Sequence, residues 1–266
     1  GGRMPLSSML AKMLRRKMHH YAEGIIDEVE LDVISPLLER QREVSHLPQE
    51  DEFLVEYFQT REGFHLCMYP FEGRYVHEGM GALLAKRISY RLPISFSIAM
   101  NDYGFELLSD QEIDVEDMIT SSIFDTKDLF KDIQASMNSI EMARRRFRDI
   151  AKISGLIFQG FPGKAKKERH LQSSSSLLFD VFREYDPDNL LYLQTYDEVM
   201  TFQLEEARLR DALKTIQSQK IILSRPEKYT PYSFPIIVDR LNREKLSSES
   251  VEDRVKKMLK QMGEVQ

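Results

Sequence analysis

Between Phe53 and Leu108 the hydrophobic pattern changes from helical spacing to short strand-like runs, and this change constrains the fold more than any other feature. Phe53-Leu54-Val55-Glu56-Tyr57-Phe58 and Phe64-His65-Leu66-Cys67-Met68-Tyr69 are rich in β-formers. Thr60-Arg61-Glu62-Gly63 joins them, so the pair reads as a hairpin. Val76 to Arg91 then reads as a helix holding Met80, Leu83, Leu84 and Ile88, and Pro93 stops it. Ile94 to Met100 alternates with period two: Ile94, Phe96, Ile98 and Met100 form an apolar face. The other face, Ser95, Ser97 and Ala99, is small, as expected where a helix or another backbone comes close. Asn101-Asp102-Tyr103-Gly104 reads as a turn and Phe105 to Leu108 as a return strand. Strand, strand, helix, strand, strand suits an antiparallel sheet with a helix on one face.

Both flanks read as helical. Residues 5 to 22 repeat Leu6, Met9, Leu10, Met13, Leu14 and Met18 at three- and four-residue steps, a stripe expected to be core, after Pro5 or a cap at Ser7 or Ser8. Glu28 to Val44 presents Leu31, Ile34, Leu37 and Leu38, with Pro36 as a kink or a late start. Beyond the sheet, helices are expected over Asp114–Ser121, Thr126–Ser136, Ser139–Ile153, Leu171–Tyr185 and Leu190–Ser218. Lys220 to Ser224 is a late strand able to extend the sheet. Pro226, Pro231 and Pro235 mark an extended passage, and a serine-capped last helix opens at Ser247. The expected class is α+β: an antiparallel sheet, strand-strand-helix-strand-strand plus the late strand, packed with a mostly helical second half. The expected divisions are 1–50, a helical lead-in; 51–110, the sheet with one helix; and 111–266, the helical region with the late strand.

Charge is unevenly placed. Between Arg144 and His170 stand nine Lys or Arg and two acids, a local balance of +7 in a chain whose net charge is −6. The cations are Arg144, Arg145, Arg146, Arg148, Lys152, Lys164, Lys166, Lys167 and Arg169. A phosphate backbone would explain such an island, with His170, Gln172, Ser173 and Ser174 adding hydrogen bonds at the start of the next helix. Composition alone favours a solvated helical surface, since charge runs are usually that, and about half of the arginines are expected to pair with acids such as Glu141 and Asp149 at helical spacing. Ser175 and Ser176 read as small residues that let the helix pack closely. Gly160, Pro162 and Gly163 read as backbone geometry first.

Other chemistry is excluded. No His pair has metal-ligand spacing with Cys or carboxylate partners. The single cysteine, Cys67, permits no internal disulfide and fits a reducing, cytoplasmic compartment. Gly160-Phe-Pro-Gly-Lys164-Ala165 lacks the spacing of a phosphate loop and has Ala165 where a hydroxyl is needed. No nucleophile elbow is present, and no apolar run approaches a membrane span. The start is no secretion signal, because Lys12, Arg15, Arg16 and Lys17 interrupt it, and its glycine pair suggests an excised piece of something larger.

Several segments, in order, resemble the C-terminal accessory domain of Lhr-type (large helicase-related) superfamily 2 DNA helicases, nearest to the DNA-ligase-associated DEXH-box branch. They include Gly1-Gly2-Arg3-Met4-Pro5-Leu6-Ser7, Asn101-Asp102-Tyr103-Gly104-Phe105-Glu106-Leu107-Leu108 and Arg145-Arg146-Phe147-Arg148-Asp149-Ile150-Ala151. The most specific are Gly155-Leu156-Ile157-Phe158-Gln159-Gly160-Phe161-Pro162-Gly163, Gln172-Ser173-Ser174-Ser175-Ser176-Leu177-Leu178 and Asp186-Pro187-Asp188-Asn189-Leu190-Leu191. The resemblance implies two RecA-like motor domains and a winged helix upstream of residues 1–50, and a DEAD/H-associated block in the second half of the chain. It implies that the parent is an ATP- and Mg-dependent 3′-to-5′ DNA helicase acting in repair, whose accessory domain closes a path around single-stranded DNA. This chain, without motor motifs, would be non-catalytic and without a cofactor of its own. Family members often carry an aromatic suited to base stacking just before the serine of the Gln41–Pro48 segment, where this chain has Val44 and no Trp anywhere. A second reading stays open: a module that docks DNA ligase, a nuclease or another helicase copy, through the acidic remainder and the charged helix around Glu205 to Arg210.

Overall fold

The computed structural model describes residues 6–25, 29–243 and 255–256. The expected helix from Ser247, Pro5 and Glu28 lie outside them. Asp128–Ala207 forms one compact unit, and the residues before it join those from Arg208 onward in another.

The first unit is built on a five-stranded sheet in the order β3 (Ser97–Met100), β4 (Phe105–Ser109), β2 (Gly63–Met68), β1 (Glu52–Thr60), β7 (Lys220–Ser224). β1 (Glu52–Thr60) and β2 (Gly63–Met68) are the expected hairpin, pairing Val55 with Met68 and Thr60 with Gly63. β3 (Ser97–Met100) and β4 (Phe105–Ser109) complete the antiparallel part. The late strand β7 (Lys220–Ser224) joins β1 in parallel, so the sheet is mixed at that edge. β1 lies inside the sheet, and Phe53 to Phe58 are all buried, as a strand covered on both faces requires.

Alternation along β3 and β4 sorts their side chains between two helices. Ile98, Phe105 and Leu107 approach α3 (Arg74–Ser89) so closely that a Cβ on Gly81 would lie 2.9 Å from Ile98 Cγ2. Ala99, on the small face, clusters with Ile236, Ile237 and Leu241 of α10 (Ser233–Arg243). Glu106 faces the same way: fully buried, it accepts from Arg240 Nε at 3.1 Å and meets His65 Nδ1 at 2.5 Å. The Asn101–Gly104 turn is an Asx turn, since Asn101 Oδ1 accepts from the Tyr103 and Gly104 N–H groups at 2.8 and 3.0 Å. Asp102 holds the Arg74 guanidinium through two hydrogen bonds at 3.2 and 3.1 Å and accepts from its backbone N–H at 3.3 Å, which gives it a structural task.

α1 (Ser8–Ala22) is capped by Ser7 Oγ, as expected, but only part of the expected stripe is core. Met18 is buried and Leu14 packs against the same cluster, whereas Met9, Leu10 and Met13 are exposed and Ala11 and Tyr21 are buried in their place. The contact needs a small residue and a tyrosine whose hydroxyl donates to Glu39 Oε1 at 2.8 Å, and apolar spacing does not mark either. In α2 (Val29–Val44), which continues through Pro36, Leu31 and Leu38 are buried while Ile34 and Leu37 are exposed. α10 corrects the extended reading of the proline passage. Thr230 Oγ1 accepts from Ser233 N–H at 3.1 Å and Ser233 Oγ accepts from Thr230 N–H at 2.8 Å, a reciprocal cap that lets Pro231 and Pro235 sit in a helix start. Between the sheet and the second unit, Asp114 caps the short α4 (Val115–Met118).

The second unit runs through α5 (Leu129–Gln134), α6 (Met137–Ile153), a small hairpin of β5 (Gly160–Phe161) and β6 (Lys164–Ala165), α7 (Glu168–Tyr185) and α8 (Leu190–Glu198). The single helix expected over Leu190–Ser218 is broken by a π-helical turn at Val199–Gln203 and by Glu205 at φ 46°, before α9 (Glu206–Ser218). No described helix is long and apolar enough to cross a membrane.

Candidate nucleic-acid interface

The basic island folds as α6, the hairpin and α7, all within the second unit. α6 buries Ala143, Phe147, Ile150 and Ala151, and α7 buries Leu171, Ser175 and Phe179, each at helical spacing. The rings of Phe147 and Phe179 meet with centroids 5.7 Å apart, and Phe179 continues to Tyr192 at 5.3 Å. With these faces turned inward, the cations of α6 and α7 lie off the buried faces, and Lys164, Lys166 and Lys167 lie on the hairpin and the entry to α7.

Those cations divide into two groups. Arg144 donates twice to Asp180, at 2.7 and 2.8 Å, and lies over the Phe179 ring. This guanidinium holds the Asp180 carboxyl below its usual range, and the same hydrogen bonds raise Arg144. Arg146 is held by Glu198 at 2.5 Å. Lys152 meets Glu168 Oε1 at 3.0 Å, and Arg148 reaches the same oxygen at 3.7 Å. These four serve the fold, and of the island's five arginines Arg144, Arg146 and Arg148 are paired. Arg145, Lys164, Lys167, Arg169 and His170 are exposed and have no acidic partner among the described residues. Lys166 also lacks one; its ammonium lies 5.3 Å from the centre of the Phe158 ring.

Two shallow grooves collect most of the expected residues. Lys166, Lys167, His170 and Ser174 line one of about 400 Å³ with Ile157 and Leu171. Arg144, Arg145, Arg148 and Gln172 line the other, of about 240 Å³, with Glu141, Ser175 and Ser176. Lys152, Lys164, Arg169 and Ser173 line neither. Ser173 Oγ donates back to the Arg169 carbonyl at 3.0 Å, and Ser175 is buried, donating to the Gln172 carbonyl at 2.9 Å.

The connector is pinned where Ile157, buried, donates from its N–H to the Ala151 carbonyl at 3.0 Å. Pro162 and Gly163 then form the two-residue tip of the hairpin, with Gly163 at φ 77°, the pattern of a type II turn. A Cβ on Gly160 would lie 2.5 Å from the Lys164 carbonyl oxygen, so glycine is needed there. This segment does not fit a triphosphate with Mg²⁺: Gly163 and Lys164 lie in a hairpin rather than at a helix start, and Ala165 has no hydroxyl. The hairpin also carries two aromatics that sequence reasoning missed. Phe158 and Phe161 are 52% and 68% exposed, and the available signal was two phenylalanines inside a basic segment.

Residues 47–233 match the family described as DEAD/H associated, a span that takes in the sheet as well as the basic helices. The chain belongs to the DEAD/H-associated family. It is 23% identical to the ATP-dependent helicase Lhr-Core of Methanocaldococcus jannaschii over 80% of this chain and 25% of that protein. It is 24% identical to Lhr-Core protein 2 of Thermococcus barophilus over 79% of this chain and 24% of that protein. The chain thus spans about a quarter of the length of the curated relatives it matches. Among solved structures, the helicase Lhr of Mycobacterium smegmatis, determined bound to ssDNA and AMP-PNP, shares the fold with a TM-score of 0.70 at 19% identity. That match covers 88% of this chain and 32% of the other. DEAD/H-associated membership therefore comes with an Lhr-type fold.

Proposed function

We propose that this chain is the non-catalytic accessory part of a larger ATP-dependent 3′-to-5′ DNA helicase, and that α6, the hairpin and α7 contact the backbone of single-stranded DNA. The observation that carries the reading is the set of exposed cations, Arg145, Lys164, Lys167 and Arg169, left without acidic partners among the described residues in a chain of net charge −6. Contacts to phosphate alone suit a translocating motor, which must not stop at particular bases. The ssDNA in the Mycobacterium smegmatis Lhr structure supports the choice of ligand. In the whole protein this part would close the strand's path, with ATP and Mg²⁺ held by upstream RecA-like domains beyond a winged helix; the role in DNA repair rests on the family resemblance.

Fluorescence anisotropy with a labelled single-stranded oligonucleotide tests this. Salt-sensitive binding that the variant Arg145→Ala, Lys164→Ala, Lys167→Ala, Arg169→Ala loses supports it. No binding, or equal binding by both proteins, contradicts it.

The second reading, docking of a protein such as DNA ligase or a nuclease, is favoured by a different observation. Met9, Leu10 and Met13 of α1 and Val29, Val33 and Leu37 of α2 are exposed apolar residues. Loss of ligase or nuclease co-purification with Leu10→Asp and Val33→Asp, and unchanged DNA binding, would support that role.

A further inference from the structure

We propose that Phe161, backed by Phe158, stacks against a base of the bound strand, so that the hairpin supplies a base contact beside the phosphate-binding cations. This rests on the single-stranded DNA reading above. Phe161 is 68% exposed and Phe158 52% exposed, although both are large apolar side chains. Their ring centroids lie 5.1 Å apart with planes at 73°, so Phe158 supports Phe161 edge-on rather than covering it. The hairpin holds them out: Phe161 pairs in register with Lys164, Gly160 admits the Lys164 carbonyl, and Lys166 N–H donates to the Gln159 carbonyl at 2.9 Å.

Charge identifies the occupant. Lys164, which pairs with Phe161 across the hairpin, and Lys167 have no acidic partner among the described residues, and Lys166 sits over Phe158. Protein-docking patches are depleted in charge at their centre, whereas aromatics interleaved with cations fit a single strand, whose phosphates and unpaired base faces are available together. A duplex hides those faces. Stacking is tolerant of sequence because every base has a π-face, so the contact is compatible with translocation.

The test compares this chain with Phe161→Ala and Phe161→Trp on two labelled oligonucleotides of equal length, one of normal sequence carrying 2-aminopurine and one with abasic sites. The expected result is a loss of about tenfold for Phe161→Ala on the normal strand and little change on the abasic strand. Phe161→Trp restores affinity, and 2-aminopurine emission is quenched by the parent chain but not by Phe161→Ala. If the parent binds and Phe161→Ala matches it on both strands, the stack is overturned while the backbone reading stands. Equal weakening on both strands makes Phe161 a structural residue and also overturns the stack. If the parent binds neither strand, both readings fall.

Discussion

Arg144 of α6 and Asp180 of α7 form a two-pronged ion pair, with Nη1 and Nη2 at 2.7 and 2.8 Å from the two carboxylate oxygens. The most basic stretch of the chain thus spends its first arginine on joining two helices. Arg144→Ala is expected to destabilise the second unit by roughly 1 kcal/mol, an amount kept small because Asp180 is 39% exposed and solvent screens the pair. Arg144→Lys recovers only part, since an ammonium cannot make the paired contact. The Asp180 carboxyl is held below its usual range, so the pair's contribution is present above that range and lost as pH falls through the lowered value. Urea unfolding at several pH values measures both effects.

His77 carries a second pH dependence. Fully buried, it accepts from Glu72 N–H through Nε2 at 3.0 Å and donates through Nδ1 to the Asn101 carbonyl at 2.7 Å. Burial lowers its pKa from 6.5 to about 4, so the native imidazole is neutral. The unfolded chain takes up the proton near 6.5 and the native one only near 4. Stability is therefore full above pH 6.5 and falls between there and pH 4, by roughly 3 kcal/mol in total. His77→Gln, which does not titrate, is expected to flatten this part of the stability profile.

Arg240 and Glu106 tie α10 to the sheet. Glu106 is fully buried, and Arg240→Ala would leave its carboxylate with His65 alone. The expected cost is about 3–5 kcal/mol, the penalty for breaking a buried ion pair. The double variant Arg240→Met, Glu106→Gln is expected to recover most of it, because no charge is then stranded. Thermal or urea unfolding of the three proteins gives the comparison.

The sheet was legible because its signals are local. The period-two run ending at Met100, the Asn101–Gly104 turn and the hairpin around Gly63 each prescribe backbone geometry from neighbouring residues. The direction of β7 was not legible, since nothing in Lys220–Ser224 states which neighbour it meets or which way it runs. Spacing also misjudged α1: it marks an apolar stripe but not whether a partner covers it, and Met9 and Met13 are exposed. The helix break at Glu205 has no Gly or Pro to announce it. The start of α10 did have a signal, Thr230-Pro231-Tyr232-Ser233, which the run of prolines obscured. In the candidate interface, position along the chain showed a basic island. Only the fold separates Arg144 and Arg146, which face acids brought from α7 and α8, from Arg145 and Lys167, which meet no acid among the described residues. Phe158 and Phe161 were read as part of a motif, and their exposure is a property of the hairpin.

The central claim, that unpaired cations of the second unit hold a single strand by its phosphates, is tested most directly by the salt dependence of binding. For single strands the slope of log affinity against log salt is about −0.7 per phosphate contact. Replacing Arg145, Lys164, Lys167 and Arg169 by Ala is expected to make the slope shallower by about 3, while Arg146→Ala, whose guanidinium is held by Glu198, leaves it unchanged. An equal slope in the parent chain and the fourfold variant would contradict the account.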